Sequence, residues 1–186
     1  MLNMFRHIGA DAELVVDPAG LAKYSHLVLP GVGHYSEGSS KLAEGGWREP
    51  IIDFAKTGKP LLGVCLGMQL LGQGSAEGPG EGLGLLPFTL ERIRTAPGVV
   101  VPHMGWNSVA PVGSGSALLD SEPQPRFYFV HSYAVPADSP VATATTLYGT
   151  PFASMVGAGN VFGAQFHPEK SHRFGMALLR NFARAG

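Results

Sequence analysis

Three short stretches of this sequence hold residue types that carry out nucleophilic chemistry. The first is "GVCLG", residues 63–67, which contains the only cysteine of the 186-residue chain. Its glycines give Cys65 the form Gly-x-nucleophile-x-Gly, a tight strand-to-helix turn where neighbouring side chains would clash. Such an elbow is expected to push the sulfur into solvent at the carboxyl end of a strand. It points the amide of Leu66 at an atom under attack, and the start of the next helix stabilises negative charge on the sulfur. A lone cysteine can equally be a small buried hydrophobe. The elbow alone leaves both readings open.

A nucleophilic sulfur needs a base and a site for the oxyanion. "QFHPEKS", residues 165–171, supplies the base in His167, at the end of an apolar run that Pro168 stops. Glu169 lies two residues on, so in an extended segment both side chains project to the same side, and the carboxylate can hold the imidazole in one tautomer. The third stretch is "LPGVGHYS", residues 29–36. The amides of Gly31, Val32 and Gly33 can approach a tetrahedral oxygen closely there. It lacks the Gly-Lys-Ser/Thr ending of a phosphate loop. Each motif is weak alone; three at strand ends of one sheet are much stronger.

The elements that must position these motifs alternate in the first half of the chain. "MLNMFRHIG" reads as a short helix ended by Gly9, "AELVVD" as a strand, and "SHLVLPG" as a strand stopped by Pro30-Gly31. Residues 36–57 read as helical pieces broken by Gly45-Gly46 and Pro50, and "KPLLGV" as a buried strand. Strand, helix, strand implies parallel pairing. In the second half "RFYFVHSYAV", "VATATTLYG", "FASMV" and "NVFGAQF" are strand candidates, with "GAGN" a hairpin turn. The last segment is a helix with Ser171 as N-cap and Phe174, Leu178 and Phe182 on one face. The Gly-rich stretch 73–84 reads as a mobile loop. The expectation is one α/β domain over residues 1–186: an open, flavodoxin-like mixed sheet with flanking helices and added antiparallel strands.

Composition narrows the function. Hydrophobic residues make up 45% and charged residues 15% of the chain, as in a globular core-forming protein. With a formal charge of −1 and no basic block, nothing suggests a nucleic-acid or anionic-membrane surface. Apolar runs are too short for a membrane span. One cysteine cannot make an internal disulfide, and no His/Cys spacing suggests zinc. With no secretory signal at the start, a cytoplasmic location is expected.

Taken together, "GVCLGMQLL", "QFHPEKS" and "LPGVG" resemble the class I, triad-type glutamine amidotransferases, and the resemblance runs from about residue 1 to the C-terminus. "VPHMGWN" at 101–107 and "FYFVHSY" at 127–133 are similar, more narrowly, to glutaminase subunits of imidazole glycerol phosphate synthases. The resemblance implies Cys65 as nucleophile, His167 as general base and acid, and Glu169 as its orienter. It implies oxyanion amides from Leu66 and Gly31, Val32 and Gly33, and substrate contacts from Gln69, His131, Ser132 and Tyr133. His103, Trp106, Asn107, Tyr128 and Lys170 would lie toward a partner, a (β/α)8 barrel cyclase that receives ammonia. Glutamine is the implied substrate, with no cofactor or metal.

One departure accompanies the resemblance. The family's opening strand and glycine loop, of the form "DYGMGN", have no counterpart ahead of "LNMFRHIG". Loss of a strand inside the sheet leaves neighbouring edges unpaired, and the expectation is that the natural protein starts upstream of Met1. Rival readings share the motifs. "FHPEKSHRFGM" and "RFYFVHSYAV" also resemble paralogues that supply ammonia for amidination of a surface-polysaccharide sugar. An inactive docking subunit, or a cysteine hydrolase acting on another amide or ester, is the alternative from a different class.

Overall fold

The computed structural model describes residues 1–94, 97–113, 117–119 and 124–186. The first half runs α1 (Leu2–His7), β1 (Leu27–Gly31), α2 (Tyr35–Glu44), α3 (Arg48–Lys56), β2 (Leu61–Cys65) and α4 (Leu66–Leu70). Short strands β3 (Gly74–Ser75) and β4 (Thr89–Arg92) follow, then β5 (His103–Ser108), β6 (Ala110–Pro111) and β7 (Arg126–His131). The chain closes with β8 (Tyr133–Pro136), β9 (Ala142–Tyr148), β10 (Thr150–Ala158), β11 (Val161–Ala164) and α5 (His172–Phe182).

Pairing produces one mixed sheet in the order β1-β2-β11-β10-β8-β4-β3, with β9 and β6 branching from β10, and a separate ribbon of β5 with β7. β1, β2 and β11 are parallel; β10 turns back antiparallel on β11 through the expected hairpin. Alternation along β2 sorts its side chains between two cores. Leu61 joins Tyr35, Ile51 and Phe54 beneath α2 and α3, whereas Leu62 and Val64 join Phe5, Leu178 and Phe182 beneath α1 and α5. A strand buried on both faces in this way reads as a continuous apolar run, which is why "LLGV" has no polar side. The open, helix-flanked sheet with added antiparallel strands is the fold class read from the sequence.

Several local expectations are corrected. "AELVVD" forms no strand; Leu14 and Val16 are 73% and 81% exposed. Pro30 does not stop β1, which runs through Gly31. Leu27 donates its N–H to Pro60 on the β2 side, so alternation turns position 30's missing donor toward the open edge, where proline is tolerated. Pro50 sits in the first turn of α3, where its N–H would have had no helical partner, so the helix continues. "RFYFVHSYAV" is two strands that change sheet at Ser132.

The Gly-rich stretch 73–84 is tied down. Gln73 N–H donates to Phe88 and Gly82 N–H to Gln73, while the Ser39 hydroxyl donates to the Glu81 carbonyl. At the other end of the sheet, the outer edge of β1 is unpaired among the described residues. An apolar cavity of about 820 Å3 opens there between β1, residues 10–15 and the α1 and α5 ends. Leu29 and Pro30, the first residues of the third motif, line it; Cys65, His167 and Glu169 do not.

The elbow depends on a packing contact that admits no side chain. A Cβ on Gly67 would lie 1.7 Å from the carbonyl oxygen of Leu29. Gly67→Ala is expected to destabilise the fold by at least about 3 kcal/mol, or to prevent folding, measured by urea unfolding. A variant with wild-type stability would show that α4 is not held against β1 as described.

Candidate active site

Cys65 ends β2 and caps α4 with φ 54 and ψ −113, a conformation costly for any residue with a Cβ. Glycines on both sides make it possible. A Cβ on Gly63 would sit 2.7 Å from the Met68 main chain, and one on Gly31 would sit 3.0 Å from the Gly67 nitrogen. The Gly31–Gly33 loop therefore lies directly against the elbow. The sulfur is not in open solvent as the elbow form suggested. Cys65 is 7% exposed and lines a pocket of about 190 Å3. Because α4 has only five residues, its first amides, rather than a long helix dipole, face the sulfur.

His167 reaches the same pocket from another direction. Its N–H donates to the Tyr128 carbonyl at 2.9 Å, a single bridge from β7. Pro168 then opens a 3-10 turn, Pro168–Lys170. That turn, not an extended chain, brings Glu169 Oε1 to 2.8 Å from His167 Nδ1. Ser171 does not cap α5 with its side chain. Its hydroxyl donates to the His167 carbonyl at 2.6 Å and accepts the Tyr128 N–H at 3.0 Å, which fixes the histidine loop to β7.

The electrostatics follow from these contacts. Hydrogen bonding to Cys65, then to Glu169, raises the His167 pKa to about 9 despite burial. For Glu169, burial pushes the carboxyl up, but the hydrogen bond from His167 and its own main-chain contact bring it below the usual carboxylate value. The imidazolium is thus stabilised between a sulfur and a carboxylate. That arrangement suits proton delivery to a leaving group and proton capture from water.

Around this triad the pocket is lined by Val32, Gly33, Leu66, Gln69, Glu77, His131, Ser132, Tyr133 and Lys170. All the residues read as substrate contacts therefore come together, with Val32 and Gly33 of the loop read as offering oxyanion amides; Gly31 does not line the pocket. Two residues were missed by sequence reasoning. Glu77 lines the pocket and accepts the Tyr35 N–H at 2.9 Å; it lies in the glycine-rich stretch, with no periodicity to mark it. Gln165 is fully buried, takes a hydrogen bond from Gln69 at 3.1 Å, and directs its Nε2 at the Cys65 sulfur at 3.9 Å. Its signal was a polar residue inside an apolar run.

The residues read as partner-facing separate into two groups. Trp106, 40% exposed, meets Tyr128 edge-on and stacks on His172 at 5.6 Å; Lys170 lies over the Tyr128 ring at 5.7 Å on the pocket rim. Asn107 is half-buried on the opposite face of the ribbon from Trp106, where its Nδ2 donates to His103 at 3.3 Å. His103 is different: at 2% exposure it faces the interior and cannot touch another chain with its ring. β-strand alternation explains this, because His103 and Trp106 fall on opposite faces of β5.

Comparison with known proteins matches residues 3–185 to the family model for glutamine amidotransferase class-I. The chain belongs to this family. It is 48% identical over 160 residues to the imidazole glycerol phosphate synthase subunit HisH of Deinococcus radiodurans, covering 85% of this chain and 74% of that protein. It is 45% identical to the subunit of the same name from Methanothermobacter thermautotrophicus, over 97% of this chain and 89% of that one. A third HisH subunit, from Wolinella succinogenes, is 40% identical over all of this chain and 93% of its own length. Among solved structures, one described as a glutamine amidotransferase superposes with a TM-score of 0.75 at 19% identity, over 97% of this chain and 89% of that one. A PurLQS structure from Thermotoga maritima gives 0.74, also at 19%, over the same shares. These likenesses establish the fold. Among the described residues no helix is long and apolar enough to cross a membrane.

The raised His167 pKa makes stability depend on pH. The group's value rises from 6.5 in the unfolded chain to about 9 in the fold, so its contribution is complete below 6.5 and disappears as pH rises through about 9. The stability gap between wild type and His167→Asn is expected to be widest near pH 6 and to shrink by about pH 10. Urea unfolding at both values checks this. A gap independent of pH would mean that the imidazolium is not held by Cys65 and Glu169.

Proposed function

We propose that this chain is the glutaminase subunit of an imidazole glycerol phosphate synthase, releasing ammonia from glutamine for a (β/α)8 cyclase in histidine biosynthesis. The observation that carries the chemistry is the meeting of Cys65 and His167 in one pocket, with Glu169 hydrogen-bonded to His167 Nδ1 at 2.8 Å. The acceptor assignment is supported by the three HisH relatives, all named as subunits of that synthase. In this reading residues 1–186 act as one amidotransferase domain, in the cytoplasm.

The Cys65 thiolate attacks the carboxamide carbon, forming the C–S bond and an oxyanion that accepts hydrogen bonds from Leu66 and the Gly31–Gly33 loop. The C–N bond breaks as the His167 imidazolium protonates the departing nitrogen, releasing ammonia. Water then attacks the glutamyl thioester while His167 takes its proton, giving glutamate and restoring the sulfur. Glu169 holds the ring in place through both steps. Glu77 presents a carboxylate to the pocket, suited to the α-ammonium of glutamine. Lys170, Trp106 and Tyr128 form the rim toward the cyclase, where ammonia leaves without meeting bulk water.

Two measurements test this reading. Glutamate formation from glutamine is expected to be slow for the chain alone, faster with an acceptor-loaded barrel cyclase, and absent in Cys65→Ser. Folded protein that makes no glutamate with that partner would refute the assignment and favour the sugar-amidinating or inactive alternatives. Glu77→Gln is expected to raise the glutamine KM on the order of tenfold with a smaller change in kcat. An unchanged KM would place the ammonium elsewhere.

A further inference from the structure

A single line of hydrogen bonds runs from the β5–β7 ribbon into the pocket, and the groups at its ends fix its direction. At the outer end, Asn107 accepts the Ser108 N–H at its Oδ1, 2.8 Å, and donates from Nδ2 to the Leu147 carbonyl, 3.0 Å. Its amide orientation is therefore set, and the same Nδ2 donates to His103 Nε2 at 3.3 Å. At the inner end, His131 Nδ1 lies 2.9 Å from the Tyr133 carbonyl, which can only accept. His131 thus carries its proton on Nδ1 and leaves Nε2 as an acceptor. The remaining link, His103 Nδ1 to His131 Nε2 at 3.0 Å, must then be donated by His103. Both rings are neutral Nδ1–H tautomers, the only assignment that satisfies both ends.

The rings are held rigidly. His103 stacks between Phe129 at 4.7 Å and Tyr148 at 4.0 Å. Burial keeps both histidines neutral, with pKa values of about 4 for His103 and about 3 for His131. At its inner end the line continues to the nucleophile. The Tyr133 carbonyl also accepts from Gln69 at 3.4 Å, and Gln69 leads through Gln165 to Cys65.

We infer that His103, which does not line the glutamine pocket, is a positioning residue that fixes the pocket wall at Ser132–Tyr133 through His131. This rests on the glutaminase reading. Without the His103 donor, His131 Nε2 is left buried and unpaired, and the wall that meets glutamine loses its anchor. The effect falls on substrate binding more than on bond breaking, because Cys65 is set by β2 and α4, and His167 by Tyr128 and Ser171, rather than by the His103–His131 hydrogen bond.

The test separates hydrogen bonding from packing. In His103→Leu, which keeps bulk and loses the donor, the glutamine KM is expected to rise on the order of tenfold, with kcat changed less than about threefold. His103→Asn places an amide donor near the Nδ1 position with less bulk, and is expected to recover most of the affinity. Asparagine performing worse than leucine, or leucine performing as wild type, would overturn the inference. Nitrogen-15 NMR of wild-type histidines gives a readout independent of activity. Two Nδ1–H tautomers at neutral pH are expected; an Nε2–H or charged ring at either position would overturn the line. If wild type hydrolyses no glutamine, the functional reading fails by itself, and the tautomers still uphold or overturn the hydrogen-bond line.

Discussion

Cys65 adopts a backbone conformation that residues with a side chain avoid, and much of the fold serves to hold it there. The parallel pairing of β1, β2 and β11 fixes the strand that delivers it. Gly67 lets α4 turn back over Leu29 with no Cβ between them, and Gly63 lets the same helix lie against β2. A strained dihedral survives only where its surroundings over-determine it. Here strand register on one side and main-chain contact on the other leave the turn no lower-energy path that preserves the sheet. The consequence for chemistry is direct, since the same contact that presses α4 onto the strands brings the Gly31 loop against the elbow.

The second half of the site is assembled by a different device. His167 is not on a strand of the main sheet; it is attached to the ribbon by one main-chain bridge to Tyr128 and by the hydroxyl of Ser171. Ser171 serves both Tyr128 and His167, so a displacement of β7 carries the histidine with it. Because Tyr128 also borders Trp106 and Lys170 on the exposed rim, whatever packs on that rim acts on a strand one hydrogen bond away from His167. The arrangement places the exposed aromatic rim and the His167 ring on one mechanical unit.

The parts of this protein legible in its sequence are those set by local chemistry. The strand before Cys65 is readable because burial on both faces demands an unbroken apolar run. The elbow is readable because close approach demands glycine at 63 and 67. His167 and Glu169 were paired for the wrong reason: an extended segment was expected, and a 3-10 turn starting at Pro168 closes the same gap. What failed depends on partners distant in sequence. "AELVVD" has a strand's composition, but composition does not supply a neighbouring ladder. The glycine-rich stretch 73–84 looked mobile because its restraints, Ser39 and Phe88, lie in other elements. His103 was placed toward a partner by the resemblance; its neighbours Met104 and Trp106 are exposed, 62% and 40%, but the register of β5 against β7 turns His103 inward.

That inward turn leaves three histidines near one pocket with opposite electrostatic fates. His167 is raised to about 9, whereas His131 and His103 are lowered to about 3 and about 4. Burial acts against charge on all three, so burial cannot explain the difference. The partners do: His167 faces a sulfur and a carboxylate, while His131 faces a neutral carbonyl and another imidazole. One ring is therefore a proton carrier at neutral pH and the other two are fixed dipoles. A second imidazolium beside His167 would repel its charge and lower its pKa. Keeping His131 neutral is thus part of the same electrostatic arrangement that charges His167, although His131 lies on β7, His167 lies outside any strand, and the two share no hydrogen bond.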